Sequence, residues 1–99
     1  MIRLSDEYIS VIVCAAHQQF GDDVQVWLFG SRVDETRRGG DIDLMIEVKH
    51  RVANKPHAAS EFAASLQYQL GDQKIDVIID DGYERQPIHA VVRQEGRRL

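Results

Sequence analysis

The sequence contains one cysteine, Cys14, and only two prolines among its 99 residues. A single cysteine excludes an intramolecular disulfide and a cysteine-based zinc site within the chain. The four histidines show no i,i+3 or i,i+4 pairing, so a histidine metal site is not expected, and we interpret them as surface or helix-edge residues: His17, His50, His57 and His89. No apolar run approaches the roughly 20 residues of a transmembrane helix, so no membrane association is expected.

The charge balance limits the kinds of partner that this chain can bind. The formal net charge is −4, which disfavours a general nucleic-acid-binding surface, so no direct nucleic-acid binding is expected. The apolar residues 9–16 resemble the core of a signal peptide, but Asp6 and Glu7 precede them where a signal peptide has positive charge. No small-residue cleavage site follows, so a cytoplasmic protein is expected.

Hydrophobic periodicity predicts alternating helices and strands in one domain over residues 1–99. The expected fold is α/β (α+β), a mixed sheet of about three or four strands flanked by about four helices. Helices are predicted over residues 5–20, 31–36, 56–70 and 87–95, and strands over residues 24–29, 41–48 and 74–80. Cys14 is expected to be buried on the first helix.

Aspartates stand within the otherwise apolar second and third strands. Asp41 and Asp43 share one face of the second strand, because side chains alternate along a strand. Two like charges there are tolerated if a cation lies between them; the alternative is a strand near a sheet edge with a solvated acidic face. Asp76 favours the first interpretation, because it can join the other two around hard cations such as Mg²⁺ or Mn²⁺. Asp80, at the end of the third strand, is interpreted as part of a turn.

Gly30 and Ser31 follow directly after the first strand. Glycine lets the backbone approach a bound group closely, and a turn that leads into a helix N-terminus favours an anion. The Ser31 N–H and hydroxyl are therefore candidates to hold phosphate. Gly-Ser also occurs in ordinary turns, so this pair is informative only together with the aspartates.

The combined pattern resembles the signature of a known superfamily. Gly30-Ser31, Asp41-Ile42-Asp43-Leu44 and Ile75-Asp76-Val77 resemble the motifs of the DNA polymerase β-type nucleotidyltransferases. The small size and the segment from Pro87-Ile88-His89 to Arg93-Gln94-Glu95-Gly96 resemble its minimal nucleotidyltransferase (MNT) branch. Members of that branch are typically antitoxins of HEPN/MNT toxin–antitoxin pairs. The resemblance covers nearly the whole chain.

This resemblance implies a metal-dependent transfer reaction. It implies two Mg²⁺ ions, or Mn²⁺, held by Asp41, Asp43 and Asp76 as the catalytic residues, with ATP as the substrate. In the branch, AMP passes from ATP to a tyrosine of the HEPN ribonuclease and silences it. Asp76 is the expected acceptor of the hydroxyl proton.

The resemblance also implies a triphosphate site at Gly30 and Ser31, and we expect further nucleotide contacts from Arg32 and Gly40. Many relatives have serine where this chain has Gly40, just before the first aspartate of the motif.

A second departure from the family pattern is acidic. Asp34 and Glu35 stand where many relatives have arginine followed by glycine. The acidic pair would repel a phosphate, and Arg37 and Arg38 are the expected substitutes.

Alternatives of other functional classes remain open from the sequence. One is a non-catalytic antitoxin that neutralises its toxin by direct binding. Another is a small-molecule adenylyltransferase that works with a separate helical subunit. The expected partner is accordingly a HEPN-type toxin or a helical substrate-binding protein encoded by a neighbouring gene, in a hetero-oligomer. No motif in the sequence selects the nucleotide base or the acceptor.

Overall fold

The chain alternates helices and strands in a computed structural model that describes residues 3–33, 40–71, 73–84 and 86–99. The elements are α1 (Asp6–Phe20), β1 (Gln25–Phe29), a 3₁₀ helix (Gly30–Val33), β2 (Ile42–Glu47), α2 (Lys55–Leu70), β3 (Ile75–Asp80), α3 (Pro87–Glu95) and β4 (Arg97–Arg98). The predicted fold class is confirmed, as a small α+β domain with a mixed four-stranded sheet.

Helix boundaries follow the capping chemistry of the sequence. Ser5 precedes α1, and its hydroxyl accepts a hydrogen bond from the Tyr8 N–H at 3.2 Å. Gly21 ends α1 with a φ of 103°, a conformation that glycine adopts without strain. Asn54 caps α2 in the same way, through a 3.1 Å hydrogen bond from the His57 N–H. Within the described residues, no helix is both long and hydrophobic enough to cross a bilayer.

The strands lie in the order β3-β2-β1-β4, with β2 and β3 parallel and the other two pairs antiparallel. α2 connects β2 to β3, as a parallel pair requires. β4 was not predicted, because its two residues are arginines that carry no hydrophobic alternation. It pairs with β1, and the Leu99 N–H that follows it donates to the Val26 carbonyl at 2.8 Å.

One face of the sheet packs against α1 and α2 and forms the core. Register places the inward side chains of the strands together on this face: Val26, Leu28, Ile42, Leu44, Ile46, Ile75, Val77 and Ile79. Phe20 of α1 and Phe62 of α2 meet edge to face, with ring centroids 5.5 Å apart. The alternation predicted for β2 is confirmed, because Ile42, Leu44 and Ile46 are fully buried.

The opposite face carries the polar residues and is covered in part by α3. Arg93 of α3 reaches Glu47 and Asp80 at one end of this face. Met45, in the middle of the face, is fully buried. At the other end, Asp43 and Asp76 lie beyond the part that Arg93 occupies. The candidate site is therefore on this second face, away from the core helices.

Two local predictions were wrong. Cys14 is exposed rather than buried, because the buried side of α1 is formed by Ile12, Ala15 and Ala16. The helix expected from Ser31 is a single 3₁₀ turn over Gly30–Val33, and the rest of that prediction, residues 34–36, lies outside the described residues.

Candidate active site

Asp43 and Asp76 are directly opposite each other on the parallel strands β2 and β3. Because paired residues of adjacent strands project from the same face, the two carboxylates stand side by side. Asp43 is half-buried, whereas Asp76 is exposed at the start of β3. The chain therefore brings together two of the aspartates that the sequence singled out, from segments separated by α2.

The electrostatic environment of Asp43 disfavours its charged form. Burial raises the pKa of Asp43, and the nearby charges of Asp76 and Asp41 raise it further. A hydrogen bond with Asp76 also raises it, while Lys74 acts in the opposite direction and does not compensate. A carboxylate in such surroundings gains from a bound cation.

Asp41 lies one residue before β2 rather than within it. Its Oδ2 atom is 3.7 Å from Nζ of Lys74, an exposed ion pair. In the part of the chain that the structure describes, no three side chains of histidine, cysteine, aspartate or glutamate are grouped as a metal site. Asp41 is thus paired with Lys74, and its charge also raises the pKa of Asp43. We refer to Asp41, Asp43 and Asp76 together as the open acidic cluster.

Gly30 packs against the carboxylate of Asp43. Its φ is 77°, and a Cβ placed on it would overlap Oδ2 of Asp43. Only glycine fits this position, because any side chain would both strain the backbone and displace the carboxylate. Ser31 follows within the 3₁₀ turn and is half-buried. The Gly-Ser turn and the acidic pair thus form one continuous surface.

Arg32 makes structural contacts within the chain. Its guanidinium donates to the carbonyl of Arg3 at 2.8 Å and to that of Gly40 at 3.0 Å, so it ties the segment before α1 to the entry of β2. Gly40 is exposed, and a Cβ there would meet nothing within 4 Å. Nucleotide contacts of Arg32 and Gly40 stay predictions. Asp34 and Glu35, which are expected to repel phosphate, lie outside the described residues. The same holds for Arg37 and Arg38, which are expected to bind phosphate in their place.

A second acidic pair lies at the far end of the same strands. Glu47 is opposite Asp80, and Arg93 donates to both carboxylates. His89 is also buried there, with Nδ1 3.6 Å from Oδ1 of Asp80. We refer to Glu47, Asp80, His89 and Arg93 as the buried ion-pair cluster.

Only part of this second cluster is evident from the sequence. The turn predicted at Asp80 is confirmed, since its Oδ1 accepts from the Gly82 N–H at 2.9 Å. The surface location expected for His89 was wrong, because its side chain is packed beneath α3 beside Asp80. The alternation of side chains was the signal available in the sequence: it puts Asp76 and Asp80 on one face of β3, and Asp43 and Glu47 on one face of β2.

The electrostatics of the buried ion-pair cluster are opposite to those of the open one. Burial alone would raise the pKa of Asp80, but hydrogen bonds from Arg93 and the Gly82 N–H, with the charge of His89, lower it below its ordinary value. Asp81 behaves likewise, because the amides of Val52 and Tyr83 and the charge of Lys55 outweigh its burial and lower its pKa. These carboxylates have their cations and donors within the chain.

A family model described as the nucleotidyltransferase domain matches residues 9–98. The chain belongs to the nucleotidyltransferase domain family. It is accordingly a transferase fold that moves a nucleoside monophosphate group, and the match includes Gly30, Ser31 and all three members of the open acidic cluster. No curated protein matches the chain.

Nucleotidyltransferases generally use a nucleoside triphosphate and a divalent metal ion. The residues at this nucleotidyltransferase site suit such an ion in two respects. Asp43 and Asp76 supply adjacent carboxylate oxygens, the hard donors that Mg²⁺ and Mn²⁺ prefer. The raised pKa of Asp43 reflects burial first and repulsion by Asp76 and Asp41 second, and a bound cation would offset both. The charge of Asp41 also acts on Asp43, and its role as a third ligand stays a prediction.

Proposed function

We propose that the protein transfers AMP, or another nucleoside monophosphate, from a nucleoside triphosphate to a tyrosine hydroxyl of a partner HEPN-type ribonuclease, and so acts as its antitoxin. The observation that carries the proposal is the Asp43–Asp76 pair, set against Gly30. At the other end of the same strands, Arg93 neutralises the acidic pair of Glu47 and Asp80. The uncompensated pair is consistent with a site that receives a cation and phosphates.

Each residue has a defined role in the proposed reaction. Gly30 and Ser31 bind the β- and γ-phosphates through backbone N–H groups and the Ser31 hydroxyl. Asp41, Asp43 and Asp76 hold Mg²⁺, which when bound neutralises phosphate charge. Asp76 takes the proton from the acceptor hydroxyl, because it is the exposed member of the pair.

The reaction balances without any further reactant. The hydroxyl oxygen forms a bond to the α-phosphorus, and the bond between that phosphorus and the bridging oxygen to the β-phosphate breaks. Pyrophosphate leaves with the negative charge, and the proton of the hydroxyl goes to Asp76. Direct neutralisation without catalysis does not require the open acidic cluster, so the transfer function accounts better for its presence.

The test is transfer of label from α-³²P-ATP with Mg²⁺, with and without the protein encoded by the neighbouring gene. We expect label on that protein, and none with the Asp41→Ala/Asp43→Ala variant. The matched control is Asp22→Ala/Asp23→Ala, which removes the same charge from exposed positions after α1. Phosphopeptide mapping then identifies the modified side chain.

Two other outcomes would contradict the proposal. Neutralisation of the neighbour without label, retained in Asp41→Ala/Asp43→Ala, would indicate an antitoxin that acts by binding alone. Label transferred to small hydroxyl compounds, without any protein acceptor, would indicate a small-molecule adenylyltransferase.

A further inference from the structure

The two edges of the sheet differ in how they are protected. β4, at one edge, consists of two exposed arginines. β3, at the other edge, has six residues and contains neither proline nor lysine. Short length and charge keep an edge strand from pairing with another chain, and the middle of β3 has neither protection. β3 is therefore an open edge that begins next to the acidic site.

The hydrogen bonds to β2 show which backbone groups of β3 point outward. The Lys74 carbonyl accepts from the Ile42 N–H and the Asp80 carbonyl from the Val48 N–H, both at 3.0 Å. Because alternate residues of a strand face alternate neighbours, the even-numbered residues of β3 face β2, and Val77 directs its N–H and carbonyl outward. No other described group makes a hydrogen bond to these two atoms.

A groove of about 380 Å³ follows this open edge. Pro56 and Ala59 at the start of α2 form one wall, and Glu84 and Gln86 before α3 form the other. Val77 lies at the base of the groove and is half-buried. Lys55 also lines the α2 side, and its Nζ is 3.5 Å from Oε2 of Glu84 on the other wall. Beside this ion pair, the groove has the apolar Pro56 and Ala59 on the α2 side and unpaired backbone groups along its base, as a site for an added strand requires.

We propose that this groove binds an extended segment of the acceptor protein as an additional strand on β3. The proposal rests on the proposed transfer function and deepens it, since it says how the acceptor reaches the site. Side chains of an added strand alternate between the two faces of the sheet. A hydroxyl residue opposite Asp76 then lies on the site face, and its neighbours face Val77 and Ala59.

Charge and alternation specify the occupant. Glu84 at the wall is paired with Lys55, whose Nζ is 3.5 Å from its Oε2, so the charge that selects the occupant is that of the open acidic cluster. Its three carboxylates face one lysine, Lys74, at the start of the edge, so a basic residue fits beside Asp76 and an acidic one does not. A second copy is disfavoured, because two β3 edges paired about a two-fold axis would bring two open acidic clusters onto the same face of one sheet. The expected segment alternates a hydroxyl or polar residue with apolar residues and has a basic residue at the end that lies beside Asp76.

A peptide probe tests this without any catalysis. The probe is a short synthetic peptide in which valines alternate with tyrosine and threonine between two terminal arginines. Two N-methylated versions are made, one methylated on the valines and the other on the residues between them. A paired strand directs only one of these sets of amides at β3, so methylation of that set should weaken binding about tenfold or more, and methylation of the other should not.

Binding is measured by titration, with NMR shifts of the β3 amides as the readout. Loss with one methylated peptide and not with the other supports strand addition. Equal binding of both, equal loss of both, or no binding of the unmethylated peptide at about 1 mM would overturn the proposal.

Variants of the groove provide the second arm. Val77→Pro removes the outward N–H but no hydrogen bond to β2, and proline is tolerated in edge strands at such positions. Val77→Ala is the matched control, because it shortens the side chain and keeps the N–H. Peptide binding should fall about tenfold or more in Val77→Pro relative to Val77→Ala. Ala59→Trp fills the groove from α2 and should have the same effect, which keeps the test decisive if the proline variant does not fold.

The two proposals fail in different ways. Peptide binding is also measured with Asp43→Asn, in which transfer is expected to be lost and the groove intact. Peptide binding without any label transfer by the native chain would contradict the transfer function alone. If Val77→Pro and Ala59→Trp transfer label to the partner as well as the native chain does, the groove proposal alone is overturned. A dimer of the native chain that Val77→Pro dissociates would assign the edge to a second copy and also overturn it.

Discussion

The strands β2 and β3 carry an acidic pair at each end, and the two ends are built in opposite ways. Asp43 is opposite Asp76 at one end, and Glu47 is opposite Asp80 at the other. α3 covers the second pair and supplies Arg93, whereas the first pair is left open beside Gly30. Acidic residues on a strand are therefore no sign of a binding site by themselves. The distinguishing feature is whether the fold supplies their cation.

The largest expected effect is on transfer activity. Asp43→Asn keeps the shape of the side chain but removes the charge that would hold a metal ion. We expect transfer to fall about 10³-fold or more, measured as label transferred from α-³²P-ATP. Asp22→Asn, which removes a charge from a fully exposed side chain, should leave the rate unchanged. Retention of a tenth of the activity by Asp43→Asn would show that the open acidic cluster is not catalytic.

The next effect is on stability and concerns the buried ion-pair cluster. Arg93→Met removes the guanidinium that donates to the carboxylate of Asp80, which is 1% exposed. Removing one partner of a buried pair costs about 3–5 kcal/mol, and we expect the lower end because the Arg93 side chain is 29% exposed. Urea unfolding measures the change, with Arg97→Met on the exposed β4 as the control. A change equal to that of the control would show that Asp80 does not depend on Arg93.

Gly30 tests how the open acidic cluster is held. Alanine at Gly30 or at Gly71 places a side chain at positive φ, which costs about 1–2 kcal/mol at either position. Only at Gly30 does the new Cβ also meet Asp43, whereas Gly71 has open space around it. We expect Gly30→Ala to lose transfer activity as well as stability, and Gly71→Ala to lose stability alone. Equal transfer activity of the two variants would show that Gly30 does not contribute to the site.

The smallest effect is a difference in the pH dependence of stability. A raised pKa means that Asp43 destabilises the folded chain once it ionises, so native stability is reduced as pH rises through that pKa. Asp43→Asn should therefore be slightly more stable than the native chain at pH 7, by no more than about 0.5 kcal/mol, and equal to it in acid. Thermal unfolding without metal, across a pH series, measures the difference.

Asp80 should show the opposite sign. Its lowered pKa means that its contribution is present above the ordinary pKa of aspartate, about 4, and is lost as pH falls through the lower folded value. The destabilisation caused by Arg93→Met should therefore shrink in acid. A constant difference between the two chains over this range would contradict the assignment.

Most of the fold could be predicted from local chemistry. Ser5 and Gly21 bound α1, and the alternation of Ile42, Leu44 and Ile46 fixes both β2 and its buried face. The two-residue period also put Asp76 in phase with the site, although only the register of β2 and β3 brings it opposite Asp43. These features depend on near neighbours in the sequence, which is why they were accessible.

The features that were missed depend on tertiary contacts. β4 pairs with β1 only because α3 returns the chain to that edge, and its arginines give no strand pattern. Arg93 looks like any helical surface arginine until α3 docks over Asp80. The ion pair between Asp41 and Lys74 gave no signal either, because the two residues meet only when β2 and β3 pair. In each case a partner distant in sequence determines the outcome.

The parallel pairing of β2 and β3 has a consequence for the order of folding. Asp43 and Asp76 are 33 positions apart in the sequence, and α2 lies between them. Their approach requires closure of this long loop, and the docking of Phe62 and Leu66 on the core face provides the energy for it. On a nascent chain the two carboxylates remain independent until β3 has been synthesised and paired. The Asp43–Asp76 pair therefore forms late, as a product of the completed crossover.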